Sequence, residues 1–213
     1  MVRPQMARAM LIRIVQVLLA VALMTLASAA FGQAPMLEVR SASELPVWKT
    51  ISVGLHRGVN AVRNAFDNAR IAVGDSADEV LGRPAFTFTR ERRELDLVVL
   101  SVAALGFGAE GAGLGDIHAR AIRLGLELCP EEVGPHLRLQ YLNQPVGEFL
   151  HVAMKPQRTY EGDLVDFTLA NSGAGLALLG GSARPELVIS RNVRFVFVRP
   201  SSAQVAIVPT PDP

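Results

Sequence analysis

Four histidines and a single cysteine are the side chains of this sequence with the most chemistry within reach. The cysteine, Cys129, stands in "LCPEEVGPHLRLQY", beside a proline, two glutamates and His136. A thiol becomes a nucleophile when a helix N-terminus or a neighbouring imidazolium lowers its pKa. The spacing here predicts the reverse. In "DIHARAIRLGLELC" the apolar residues Ile117, Ala121, Leu124 and Leu128 recur at helical steps, which puts Cys129 at the C-terminal end of a helix, where the dipole disfavours a thiolate. Pro130 then reads as the helix stop and Gly134-Pro135 as a turn into a strand. Glu131 and Glu132 read as solvated turn acids, and Cys129 as a small apolar residue.

His118, His136 and His151, joined by a nearby acid, are the groups a hydrolase-like enzyme would need for general base catalysis. With Cys129 they complete the catalytic candidates. Asp116, His118, His136 and His151 are also ligand types for a metal, but Asp116 and His118 diverge around a helix start, and Asp116 is placed to cap that helix. No metal and no cofactor is expected. Gly111, Gly113 and Gly115 form only G-x-G-x-G, flanked by Glu110 and Asp116, so neither a dinucleotide nor a triphosphate loop is read there. Glu148, Glu161, Asp163 and Asp166 surround strand ends, where acids serve solubility. For a binding surface the sequence offers Arg138, Gln140, His151 and Tyr160 on paired strands.

The elements that must position these groups follow from periodicity. "WKTISVG" reads as a strand with Ile51 and Val53 on one face; Val59, Val62, Phe66 and Ala69 line one side of a helix. Ser76 and Glu79 have the spacing of a capping box before a short helix that Gly82 and Pro84 end. "AFTFT" alternates, "RERRE" is a charged connector of mixed sign, and "LDLVVLSVAAL" is apolar enough for a buried strand. Further strands are read in "HLRLQYL", "EFLHVAM", "LVDFTLA", "GLALL", "ELVIS" and "VRFVFV", with "NQPVG" as a hairpin loop. Helices early and strands late predict an α+β fold, its N-terminal helices packed on a mainly antiparallel sheet in one domain over residues 48–200.

Residues 35–47 read as a linker and 201–213, with three prolines among the last five residues, as an unstructured tail. The first 34 residues are different material. Arg3, Arg8 and Arg13 precede an apolar run over residues 14–26 and the small residues of "TLASAAFGQA", the pattern of a signal peptide cut between Ala29 and Ala34. An uncleaved anchor is the rival, although residues 14–30 fall short of the about 20 apolar residues a span needs. Without the leader's three arginines, 18 basic residues remain against 20 acidic ones, a formal charge of −2. That balance excludes a strongly basic nucleic-acid binder. One cysteine also excludes an internal disulfide, so the core alone must hold the fold.

From Trp48 onward the chain resembles a small bacterial domain family to which no activity is attached. The resemblance rests on "WKTISVG", "LGRPAF", "LDLVVLSVAALGF", "DIHARAIRLGLELCPEEVGPHLRLQYLNQPVGEFLHVAM" and "RFVFVRP". It implies no catalytic residues, and because members of the family often begin near the "WKT" segment, it keeps open a start at Met36 and a cytoplasmic accessory module. The leader points instead to a secreted or periplasmic, non-enzymatic domain that binds a protein partner or a small ligand. Its membrane contact is confined to the N-terminal segment if uncleaved. The hydrolase-like enzyme is the alternative.

Overall fold

The computed structural model describes residues 41–201; the leader and the tail lie outside them. Two apolar parities organise the fold. Strand β1 (Lys49–Val53) is followed by helix α1 (Val59–Ala69), the short β2 (Ala72–Val73), α2 (Asp75–Leu81) and the long β3 (Arg93–Ser101). Then come β4 (Ala112–Gly113), α3 (Leu114–Arg123), α4 (Val133–Gln140), β5 (Phe149–Arg158), β6 (Leu164–Asn171), β7 (Leu176–Ser182), β8 (Val188–Ile189) and β9 (Arg194–Val198). Seven strands form one sheet in the order β1-β3-β9-β5-β6-β7-β2, and β4 pairs with β8 separately. Pairing is antiparallel except for β5 with β9 and β2 with β7, so the chain is an α+β domain on a mainly antiparallel sheet.

Successive strand residues point to opposite faces, and here both faces are covered. Leu97, Val152, Phe167, Val196 and Val198 enter one core, which α1, α2 and α4 close with Val62, Phe66, Val80, Leu81 and Leu137. Val98, Leu100, Ala153, Phe195 and Phe197 enter a second core beneath Leu114, Ile117 and Ala121 of α3. Hence "RFVFV" is apolar at both parities: its strand lies in the middle of a sheet buried on both sides. Each fully buried Phe or Leu contributes about 1.5–3 kcal/mol relative to exposure.

Several local expectations are corrected. No capping box forms at α2; its N-cap is Gly74, Ser76 Oγ donates to the Gly180 carbonyl, and Glu79 accepts from the Tyr160 amide instead. At α3 the N-cap is Gly113, which moves Asp116 from the cap into the first turn. The glycine-rich segment leads into β4, and Gly111 is required there: its φ is +76° and a Cβ would overlap the Ile189 carbonyl. "NQPVG" joins α4 to β5 and is not a hairpin loop. Within the segment read as a linker, Ala42–Glu44 form a 3-10 turn, Ala42 is buried, and its amide donates to the Leu124 carbonyl.

Candidate functional site

Cys129 is not at a helix end. Helix α3 stops at Arg123, and Gly125, with φ +87°, turns the chain away. Cys129 lies beyond it in an extended stretch bridged to Met154, is 3% exposed, and its Sγ donates to the Val196 carbonyl at 3.4 Å. Burial pushes the thiol pKa up. It packs as part of the first core.

The strand expected after it is α4. Pro135 is that helix's third residue, where a missing amide costs nothing because first-turn amides have no intrahelical acceptor. Leu137 and Tyr141, four apart, both turn into the core. The acids before it are structural as well. Glu132 is only 3% exposed, accepts from the Thr89 amide at 3.0 Å and lies 4.0 Å from Arg93; burial raises its pKa against these contacts. Glu131 accepts from both the amide and the hydroxyl of Thr87. His136 is fully buried. Its Nδ1 lies 2.8 Å from the Glu132 carbonyl and must donate, which leaves Nε2 as the acceptor for the His56 amide at 3.4 Å. Burial lowers its pKa, so His136 is a neutral imidazole with both nitrogens engaged.

Arg138, expected on an exposed strand, is fully buried. Its guanidinium donates to the Tyr141 and Ala170 carbonyls and to Gln144 Oε1, while Gln144 donates onward to the Glu148 and Leu169 carbonyls. Burial lowers the Arg138 pKa to about 10, which leaves it charged near neutrality. Gln140 is likewise an internal tie: its amide engages both main-chain groups of Ser52 on β1, accepting from the nitrogen at 2.9 Å and donating to the oxygen at 2.8 Å. In effect it stands where one residue of a further strand would pair. Both side chains are engaged by groups inside the fold.

His118 and His151 meet one ring from two elements. Both lie on the second face of the sheet, at 6.3 and 5.2 Å from the Phe195 centroid. His151 Nδ1 is 3.2 Å from Thr168 Oγ1, and burial lowers the pKa of both histidines. His118 Nε2 is buried without a protein partner. Two residues along β6 from Thr168, Asp166 is also buried with Oδ1 unpartnered, and desolvation raises its pKa to about 8. It is therefore no strand-end acid kept for solubility. Gly181 opposite makes the room, since a Cβ there would sit 3.0 Å from that oxygen. His136 belongs to the other core, so the three candidate histidines do not converge, and among the described residues no three His, Cys, Asp or Glu side chains gather into a metal site.

One expected residue remains at the surface of this region. His151 lines a cleft of about 290 Å³ with Phe149, Asn192 and Arg194. Arg194 is fixed by Glu148 at 3.0 Å, and the same carboxylate accepts from the Tyr141 hydroxyl at 2.8 Å; burial and this contact raise the tyrosine pKa to about 12. The 142–149 segment, which reaches the cleft through Gly147 and Phe149, exposes Leu142 (55%), Val146 (73%) and Phe149 (46%). Sequence reasoning missed these apolar groups, although the shared parity of Phe149 and His151 in "EFLHVAM" already placed them on one face. Tyr160, the last candidate, is 73% exposed and lies elsewhere, stacked on Arg83 with the guanidinium carbon 4.1 Å from its ring centroid. No family model, curated protein or solved structure matches the chain.

Proposed function

We propose that this chain is an exported, non-enzymatic domain that binds a protein partner at the end of the sheet carrying His151. The observation that carries the reading is the exposure of Leu142, Val146 and Phe149, three large apolar side chains of the segment that runs into the His151 cleft. Large apolar side chains exposed together on one short segment favour a protein surface that covers them. Support also comes from the groups capable of chemistry, which are spent inside the fold: Cys129 in the core, His136 between two main-chain groups, Arg138 and Gln140 on backbone carbonyls and amides. The export part rests on the leader pattern, and a mature chain that begins at or near Pro35 is the expected mass; initiation at Met36 in the cytosol overturns it.

Photocrosslinking in living cells tests the binding part. A photoreactive residue at Val146 or Phe149 should give one discrete protein adduct that the same residue at Ile122, also exposed, on α3, does not give. No adduct from either position, or identical adducts from all three, would sink the proposal. Ester or phosphoester hydrolysis by the purified chain that disappears in His151→Gln would replace it with the hydrolase reading.

A further inference from the structure

Away from the His151 end, a second cleft of about 370 Å³ is lined by Arg83, Glu131, Lys155, Gln157 and Arg158. It exists because β5 breaks register with β6 between Val152 and Gln157, and the bulge carries Lys155 out of the ladder. Three cations meet one acid there. Among the described residues, none of the three cations is in an ion pair. The single carboxylate, Glu131, has its Oε1 engaged by the amide and hydroxyl of Thr87 and offsets one of the three positive charges. Arg158 donates to the Gly162 carbonyl at 2.7 Å, which fixes its position and leaves its other donors for a ligand. Glu79 holds the Tyr160 amide, and so sets the tyrosine ring against Arg83 at the margin of the cleft. One ring face is taken by the guanidinium, while the residue as a whole remains 73% exposed.

We propose that this cleft binds the tetrahedral oxyanion of a small phosphate or sulfate monoester, with the ester's ring stacked on Tyr160. Two guanidinium forks and an ammonium without counter-ions suit an anion carrying one to two negative charges, because charge-assisted hydrogen bonds to oxyanion oxygens are the strongest that these side chains make. The exposed aromatic face adds a platform for a ring, as Tyr does in other recognition surfaces. Nothing in this reading depends on the partner surface at Val146 and Phe149.

Amide chemical-shift titration of the full mature chain at low salt tests it, with phenyl phosphate, phenyl sulfate and inorganic phosphate as probes. The expected result is saturable binding of at least one phenyl ester, mapped to Arg83, Lys155, Arg158 and Tyr160 and weakened by added salt. Lys155→Glu with Arg158→Glu should weaken it about tenfold or more, whereas Arg123→Glu on α3 should not. Tyr160→Ala should weaken the phenyl esters and leave inorganic phosphate unchanged. Preference between the two phenyl esters assigns the oxyanion as phosphate or sulfate. Shifts that map elsewhere, an absence of saturation with all three probes, or equal affinity in the double variant would overturn the proposal. A thermal melt that matches the parent shows that the double variant is folded, and Lys155→Gln alone, which should weaken binding by a smaller factor, replaces it if it is not.

Discussion

Asp166 is the residue whose chemistry the fold most visibly opposes. Its carboxyl is buried beside Gly181, with one oxygen unpartnered, and burial raises its pKa from 3.8 to about 8. The folded chain therefore keeps a proton that the unfolded chain releases above about pH 4. The contribution of this group to stability is fully present below that pH, falls as pH rises from about 4 to about 8, and is level beyond. At about 1.4 kcal/mol per pKa unit the whole span is several kcal/mol. The buried histidines act in the opposite sense: His118, His136 and His151 have lowered pKa values, so their contribution is present above the unfolded value of 6.5 and is lost as pH falls. Asp166→Asn, which keeps the shape and removes the titration, should abolish the decline between pH 6 and about pH 8 while leaving the acid-side loss intact. Urea unfolding across that range reads it directly, and superimposable profiles for the two proteins would show that Asp166 is not protonated in the fold. The sequence placed Asp166 correctly on a strand, but its position in "LVDFTLA" looks like any polar residue of an alternating strand. What made it special, the glycine opposite on β7, is a pairing that no local pattern contains.

Helix α4 is the element on which local pattern and structure part. "HLRLQY" alternates as a strand does, yet it is a helix buried on nearly all sides, with His136, Leu137 and Arg138 consecutively inside. Periodicity reports a helix through the contrast between its wet and dry faces; without a wet face the signal vanishes, and polar residues tied to main-chain groups disguise the burial. α1 shows the contrary case: Val62 and Phe66 are buried while Asn60, Asp67 and Asn68 are exposed, and its period was plain. The close seat of α4 on β6 gives it a testable requirement. A Cβ at Gly134 would overlap the ring of Phe167, itself fully buried. Gly134→Ala should therefore lower stability by about 1–3 kcal/mol despite the better helix propensity of alanine, read as a reduced urea midpoint with an unchanged slope. Gly108→Ala, where a Cβ meets nothing within 4 Å, should stay within about 0.5 kcal/mol. Equal midpoints for Gly134→Ala and Gly108→Ala would mean that α4 does not seat as closely as described.

At the scale of the molecule, the order of strands carries what their sequences do not. Strands β1, β3, β5, β6, β7 and β9 were each legible as apolar or alternating runs, and the charge-poor stretch "LDLVVLSV" announced a central strand. Their sequence spacing does not announce that β9, the last of them, lies between β3 and β5, antiparallel to one and parallel to the other. It is the keystone of both cores: Val196 and Val198 face α1, α2 and α4, while Phe195 and Phe197 face α3. Without it β3 and β5 lose their shared neighbour, each exposing a row of main-chain donors and acceptors, and the β1–β3 pair separates from β5–β6–β7. A chain that ends at Asn192 should consequently lack a cooperative urea transition and expose apolar surface to a hydrophobic dye, although it retains every helix. Because β9 joins through contacts distant in sequence, folding of the intact chain should wait on its arrival. A synthetic peptide covering residues 193–201 should accordingly restore the transition to the shortened chain in a concentration-dependent way. If the shortened chain instead unfolded cooperatively within about 1 kcal/mol of the parent, the two cores would be independent of the strand that lies between them, and the His151 end of the sheet would owe its geometry to β5, β6 and β7 alone.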